Sequence, residues 1–544
     1  MYLILKINNE KKEFNKPVKL IEIAGKEDCC AKVNGTIRDL NYIVKNDCEV
    51  EFLNIVDSPD AVRIYEATLR YLVVMAIYNI YGKADVRINY SVSMALYIDL
   101  SKMDVSLDEA EVEKIKKEMD RLIKADLPLN RLSIKKEDAI DIYTKQNMMD
   151  KVNILKYRKE DHVNIYECNG FYNYMYMNMM PKTSYVKEFK LFAYYPQMIL
   201  QYPRSETKGK IPPFNYEQVK YSKILFKAKN WAKKNEIANV FDLNERVNHE
   251  SVAEFVNLCE FKHNRTLVRI GDKIEDRKDE IKLVAVSGPS SSGKTTFANK
   301  LKVELMSRGF KPIMISLDNY YKDHKDIPLD EFGEVDFETI DALDIERFNK
   351  DMISLMNKKE TEVPIFNFVS QKRDGYKIIQ PSNNAIIIIE GIHALNEKMT
   401  HLIPRDSKFK IFISPQQQIN IDENNPIRIT DIRLIRRAVR DHLFRNYDVT
   451  QTLDIWPSVR RGEFKWIYDC QEDADYIFNS ELAYELCVLK KYALPLFLAV
   501  KREDSDFANA NRIVKFLKYF VAIDESLVPN NSILREFIGG SVFK

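Results

Sequence analysis

The chain has 544 residues, 83 lysines and arginines against 81 acidic residues, and seven histidines. That length predicts three or four domains, and the near-balance of charge excludes a global field that would draw nucleic acid or membrane, leaving only local patches. The seven cysteines show no C-x-x-C spacing and read as reduced thiols of a cytoplasmic protein; no run approaches the roughly 18 apolar residues of a membrane span, and the apolar start from Met1 to Ile7 is too short for a signal peptide.

Residues 1–58 alternate like a small α+β sheet domain. Tyr2 to Asn8 and Lys12 to Phe14 read as a hairpin, Leu20 to Ala24 as a short helix, and Ala31 to Ile37 and Cys48 to Leu53 as strands. A second α+β domain is expected over residues 59–225, with an amphipathic helix from Ala61 to Tyr81 followed by paired strands, Ala84 to Tyr90 and Ser93 to Leu100. Its aromatic and methionine-rich stretch, Phe171 to Met177, has two uses: core filling, which is the commoner, or stacking of bases. Pro203 to Pro213 reads as a loop, and residues 226–280 as a helical linker with Val252, Phe255, Val256 and Cys259 at helical spacing.

An apolar strand, Leu283 to Val286, then runs into Gly288-Pro289-Ser290-Ser291-Ser292-Gly293-Lys294-Thr295-Thr296, and a helix follows from Lys294 to Arg308, stopped by Gly309. This is G-x-x-x-x-G-K-[ST] in its proper setting. The glycine-rich turn points backbone N–H groups at nucleotide phosphates, Lys294 reaches the β/γ-phosphates, and the Thr295 hydroxyl holds Mg²⁺. A second strand, Lys311 to Leu317, ends at Asp318, and a third, Ala385 to Ile389, ends at Glu390. In a parallel sheet that edge is where ligands bind. Asp318 can take a proton from an attacking hydroxyl, and Glu390 is a buried carboxylate for which Mg²⁺ is the natural partner. His393 reads as a packed imidazole. Thr430 to Arg445 is helical by spacing, with Ile432, Ile435, Val439 and Leu443 on one stripe and Arg433, Arg436, Arg437 and Arg440 beside it, as a closing lid over phosphate requires; a solvated basic face is the alternative.

Together these motifs, with Val335 to Asp344, Val363 to Arg373 and Arg433 to Asp441, resemble the uridine/cytidine kinase group of the phosphoribulokinase and uridine kinase superfamily over residues 281–500. The resemblance implies an α/β P-loop kinase domain with a parallel sheet and an arginine-rich helical lid, using ATP and Mg²⁺. It implies Asp318 as base at a nucleoside 5′-hydroxyl, Thr295, Glu390 and Asp318 around the metal, and Lys294, Arg437, Arg440 and Arg445 on phosphates. Tyr320, Asp341, Phe366, Gln371 and Arg373 fall in its substrate segments. The head resembles the ubiquitin-like TGS module, and the second domain the second additional domain of threonyl- and alanyl-tRNA synthetases, although no H-x-x-x-H metal pair is present. With residues 501–544 as a helical tail, the whole resembles a longer subgroup of these kinases, expected to be a homo-oligomer. Phe366 and Gln371 replace the Tyr and His usual in the pyrimidine pocket, Asn367 replaces an Asp, and Tyr447 an Arg. Two rivals stand beside the nucleoside kinase: a kinase for another sugar or sugar phosphate, and an NTP-switched regulator whose first two domains contact RNA.

Overall fold

The computed structural model describes residues 3–8, 10–249, 251–367, 370, 372–416 and 419–543. The head is a mixed five-stranded sheet in the order Glu10–Phe14, Leu3–Ile7, Cys48–Asn54, Asp28–Val33, Thr36–Asp39. Leu3, Leu5 and Ile7 point inward and Ile4 and Lys6 outward, the period-2 pattern of a half-buried strand. The single strand expected from Ala31 to Ile37 is a hairpin, because Asn34 and Gly35 adopt φ of 43° and 72° and turn the chain back. The short helix expected at Leu20 is one 3₁₀ turn, Leu20–Glu22.

The second domain is built on the helix Pro59–Tyr81, capped by the Ser58 hydroxyl, which accepts from the Ala61 amide, and ended by Gly82 at φ 72°. It is not amphipathic as expected: from Ile64 to Ile77 every residue is buried, polar Glu66, Thr68 and Arg70 included. An antiparallel four-stranded sheet, Lys190–Tyr194, Gln197–Gln201, Leu96–Asp99 and Arg87–Tyr90, and a three-stranded one, Asn130–Lys135, His162–Cys168 and Phe171–Asn173, complete the domain. Three helices, Val219–Lys234, Val240–His249 and Val252–Glu275, lead into the third unit.

That unit holds a five-stranded, all-parallel sheet in the order Lys311–Ser316, Ala385–Glu390, Leu283–Ser287, Lys408–Ser414, Tyr476–Asn479. Its central strands are buried on both faces, which explains why they read as unbroken apolar runs. The register aligns Val286 and Ser316 with Glu390, so the strand ends that carry function lie at one edge. The tail packs back on this unit: Ile533, Leu534 and Phe537 are buried in the same core as the P-loop helix residues Phe297 and Leu301.

Candidate active site

The strand Leu283–Ser287 and the helix Lys294–Ser307 flank the phosphate loop as the sequence predicts. Gly288 has no substitute there, since a Cβ would stand 1.9 Å from the Ile413 carbonyl oxygen, and Gly293 sits at φ 91° with Ile533 against it. Lys294 donates to the Gly288 and Pro289 carbonyls at 2.9 and 3.1 Å. Its ammonium is held below the usual lysine range by burial, against the pull of Glu390, Glu536 and Asp318. Ser291 and Ser292 are buried under the loop, while Thr295 faces outward on the first helical turn.

Asp318 follows the second strand in a 3₁₀ turn, and Glu390 ends the third. Burial pushes the Asp318 carboxyl up, opposed by Lys294, Arg445 and Arg440. Glu390 is pushed up to about 7 by burial and by the charge of Asp318, with Lys294 and the Ser316 hydroxyl, which donates to it at 2.8 Å, working the other way. Two carboxylates and a lysine therefore converge on the P-loop edge. The two carboxylates are hard oxygen donors whose mutual repulsion a divalent cation would relieve. Among the described residues no cluster of three or more His, Cys, Asp or Glu side chains could hold a metal by itself, so a cation here would complete its shell with phosphate oxygens and water.

The helix Ile429–Arg445 departs from the expected picture. Arg433 and Arg436 are fully buried, and Leu443, placed on the apolar stripe, is 42% exposed. The basic stripe is therefore not a solvated face: Glu463 pairs with Arg433 and Glu485 with Arg436. Both arginines also donate to loop carbonyls, Arg433 to Ser290 at 2.8 Å and Arg436 to Ser291 and Ser292 at 3.3 and 3.4 Å. They brace the phosphate loop from beneath. Arg437 donates to the Ser290 hydroxyl at 2.8 Å and to Asp441 at 3.1 Å. Arg440 and Arg445 both pair with Asp441, at 3.1 and 3.4 Å, and both lower the proton affinity of Asp318. Only the last two turns thus present positive charge to the carboxylates.

The other substrate candidates divide. Phe366 is buried in a group of rings, 5.7 Å from Tyr321, which is 6.0 Å from Phe337, and the Phe366 amide donates to Asn319 beside Asp318 at 3.2 Å. Arg373 pairs with Asp344 at 2.8 Å and donates to the Tyr321 carbonyl at 3.2 Å, bracing the same wall. Tyr320 turns away: its ring packs on Phe348 and its hydroxyl donates to Asp351 at 3.1 Å. Asp341 lies exposed in the 3₁₀ turn Ile340–Ala342, its carbonyl accepting from Lys322. Gln371 lies outside the described residues, and Tyr447 is 40% exposed. His393 is a packed imidazole: its Nε2 lies 3.0 Å from the Glu338 carbonyl oxygen, and burial pushes it down to about 4.

Three acids at the site had no role assigned from the sequence, although Glu338 lies in the Val335 to Asp344 motif. The Ser290 amide donates to Glu463 at 3.2 Å and the Thr296 amide to Glu536 at 3.0 Å, so two carboxylates sit on amides of the phosphate loop and its helix. Glu338 is pushed up to about 7 by burial, against Arg437 and Lys294. Each reaches the site from a distant segment, where periodicity says nothing.

The Phosphoribulokinase / Uridine kinase family profile matches residues 283–483, the span that contains the phosphate loop, Asp318, Glu338, Glu390, Glu463 and the arginine helix, while Glu485 and Glu536 lie beyond it. A uridine kinase of Borrelia duttonii is 34% identical over 200 residues, 36% of this chain and 85% of that protein. The chain belongs to the phosphoribulokinase/uridine kinase family. Uridine-cytidine kinase C of Dictyostelium discoideum is 35% identical over 121 residues, 22% of this chain, and the chain spans a quarter (25%) of that protein's length. The N-terminal region is similar to a threonine–tRNA ligase of Thermotoga petrophila, 30% identical over 192 residues, 34% of this chain and 30% of the ligase.

Proposed function

We propose that the chain is an ATP-dependent nucleoside kinase that phosphorylates the 5′-hydroxyl of a ribonucleoside, with uridine and cytidine the first candidates. The convergence of Lys294, Asp318 and Glu390 at the carboxyl edge of the parallel sheet carries this reading. Asp318, raised by burial, orients the sugar hydroxyl and takes its proton as the oxygen attacks the γ-phosphorus in line. Lys294, Arg440 and Arg445 neutralise charge on the transferred group, and Arg437 holds the loop at Ser290. Mg²⁺, held by Thr295, Glu390 and Asp318, would supply charge neutralisation on the phosphates. The Tyr321, Phe337 and Phe366 rings form an apolar wall for the base, with polar selectivity falling to the hairpin that carries Arg373. The synthetase-like second domain has no pair of imidazoles one turn apart, so zinc-assisted hydrolysis of the editing kind has no ligands there.

The test is ADP release with ATP and Mg²⁺ across ribonucleosides, deoxyribonucleosides and pentose phosphates, run beside Asp318→Asn. Turnover of uridine or cytidine that falls about 10²–10⁴-fold in the variant is expected. Turnover of a pentose phosphate alone would replace the substrate, and nucleotide binding with no acceptor-dependent ADP release would overturn the kinase reading.

A further inference from the structure

A cavity between the second domain and the C-terminal helices has a volume of about 730 Å³ and shares no residue with the candidate active site. This is the size of a small-molecule pocket, roughly 300–1,000 Å³. One wall comes from the strands Asn130–Lys135 and His162–Cys168 and the stretch after Phe171–Asn173; the other from the helices Glu485–Leu498 and Phe507–Leu517 and the residues that follow.

Its lining is unlike the rest of the molecule. Arg131, Arg158, Lys159, Lys490, Lys515 and Lys518 face it, with Glu160 the one carboxylate among its lining residues, in a chain whose charges otherwise balance. Glu160 is shared, 3.3 Å from Arg158 and 3.9 Å from Lys518. Lys515 is held below the usual lysine range by burial and by Arg131, Arg38 and Lys518, the mark of cations crowded together. Inside this ring stand Tyr174, Tyr176 and Tyr519. The Tyr174 and Tyr519 hydroxyls are hydrogen-bonded to each other, Arg158 donates to Tyr519 at 3.1 Å, and Tyr176 meets Tyr519 edge-on at 6.3 Å, so the rings are fixed before anything arrives. The aromatic and methionine-rich stretch thus divides: Phe171 fills core, while the half-buried Tyr174 and Tyr176, with Met175 and Met177, line the cavity.

We propose that this cavity binds a nucleoside triphosphate at a site separate from the P-loop, its base against the Tyr174–Tyr176–Tyr519 rings and its polyphosphate among Arg131, Lys515 and Lys518. Rigid aromatic faces accept any base, and a crowded cluster of cations with one shared acid selects a compact polyanion. A cavity of this size, with its cations gathered around one set of rings, favours a small nucleotide over RNA, which needs a basic stripe along an extended face.

The experiment is equilibrium dialysis of the full chain with ATP, GTP, CTP and UTP in turn, with inorganic triphosphate and a 20-nucleotide single-stranded RNA as further probes. It is run on wild type, Lys515→Glu/Lys518→Glu and Lys515→Arg/Lys518→Arg; these lysines are exposed, so the fold persists, and far-UV circular dichroism verifies it. The expected result is one bound equivalent of at least one nucleotide weakened about thirtyfold or more by the charge reversal and kept by the arginine variant. An equivalent lost on Lys294→Ala belongs to the P-loop, so failure here is distinguishable from failure of the kinase reading. Unchanged nucleotide stoichiometry in the charge-reversed protein would overturn the proposal, as would inorganic triphosphate binding as tightly as every nucleotide, or charge-sensitive binding of RNA alone.

Discussion

On the proposed kinase reading, Glu536 competes with a nucleotide phosphate for the phosphate-loop helix. Its carboxylate accepts from the Thr296 amide at 3.0 Å on the first turn of the P-loop helix, and Ile533 of the same segment closes on Gly293. First-turn amides and the positive end of the helix dipole are what a phosphate would use, so the two anions compete for one donor. A hydrogen bond to a charged group contributes about 1.5–3 kcal/mol. The carboxylate is only partly buried, which favours the lower end, and about 1.5 kcal/mol corresponds to roughly tenfold in affinity. Glu536→Gln, which keeps the side-chain shape, should therefore tighten ATP binding about tenfold in isothermal titration calorimetry, and Glu536→Ala at least as much. The variant should lose about 1 kcal/mol of stability with the helix cap. Weaker ATP binding in Glu536→Gln would refute the reasoning, because it would mean that the carboxylate assists the ligand, not that it occupies the ligand's place.

The arginines of one helix should separate by function. Arg440→Ala should lower kcat about 10²–10³-fold with little change in thermal stability, whereas Arg433→Ala, which takes from the buried Glu463 one of its two arginine partners and leaves it Arg460, should cost about 1–3 kcal/mol in chemical denaturation; equal losses of stability would contradict the assignment. Glu338, held at about 7 against about 4.3 in an unfolded chain, favours folding when neutral; its contribution is complete below about pH 4.3 and is lost as pH rises through 7. Glu338→Gln stays neutral, so its melting temperature should gain on wild type between pH 5 and 8, and a constant difference would show that Glu338 ionises normally. Lys151, 2.6 Å from the fully buried Asp422, is the cation whose loss leaves that carboxylate to the neutral donors of Asn424 and Asn425: Lys151→Met should cost about 3 kcal/mol, and Lys151→Met/Asp422→Leu should recover part of it.

The P-loop was readable because strand, turn and helix are contiguous, and each glycine answers a local demand at Gly288 and Gly293. Asp318 and Glu390 were readable because each ends an apolar strand, and a parallel sheet brings such ends to one edge. What the pattern could not reveal is where a polar stripe goes. Arg433 and Arg436 have the spacing of an exposed face, yet their partners Glu463 and Glu485 lie on other helices, and only the packed structure turns a basic stripe into an interior one. Tyr320 failed for a local reason: the 3₁₀ turn Leu317–Tyr320 sends Asp318 toward the site and the Tyr320 ring to the core.

The arginine helix also gives the front of the chain a mechanical bearing on the back. Immediately before it, residues 419–428 run into the second domain, where Glu423 pairs with Arg87 at 3.2 Å and Lys102 at 2.8 Å, and Arg428, the helix N-cap, with the buried Glu66. At its other end the same helix presents Arg437, Arg440 and Arg445 to Ser290 and Asp318. A helix is stiff along its axis, so fixing its first turn in the second domain restricts where its last turn can stand. Ordered buried pairs are a weak source of net stability but a strong source of geometry. If the chain is the nucleoside kinase proposed above, the synthetase-like domain need not touch nucleotide or nucleoside to matter for turnover: by holding Arg428 it would limit the positions from which Arg440 could reach a transferred phosphoryl group.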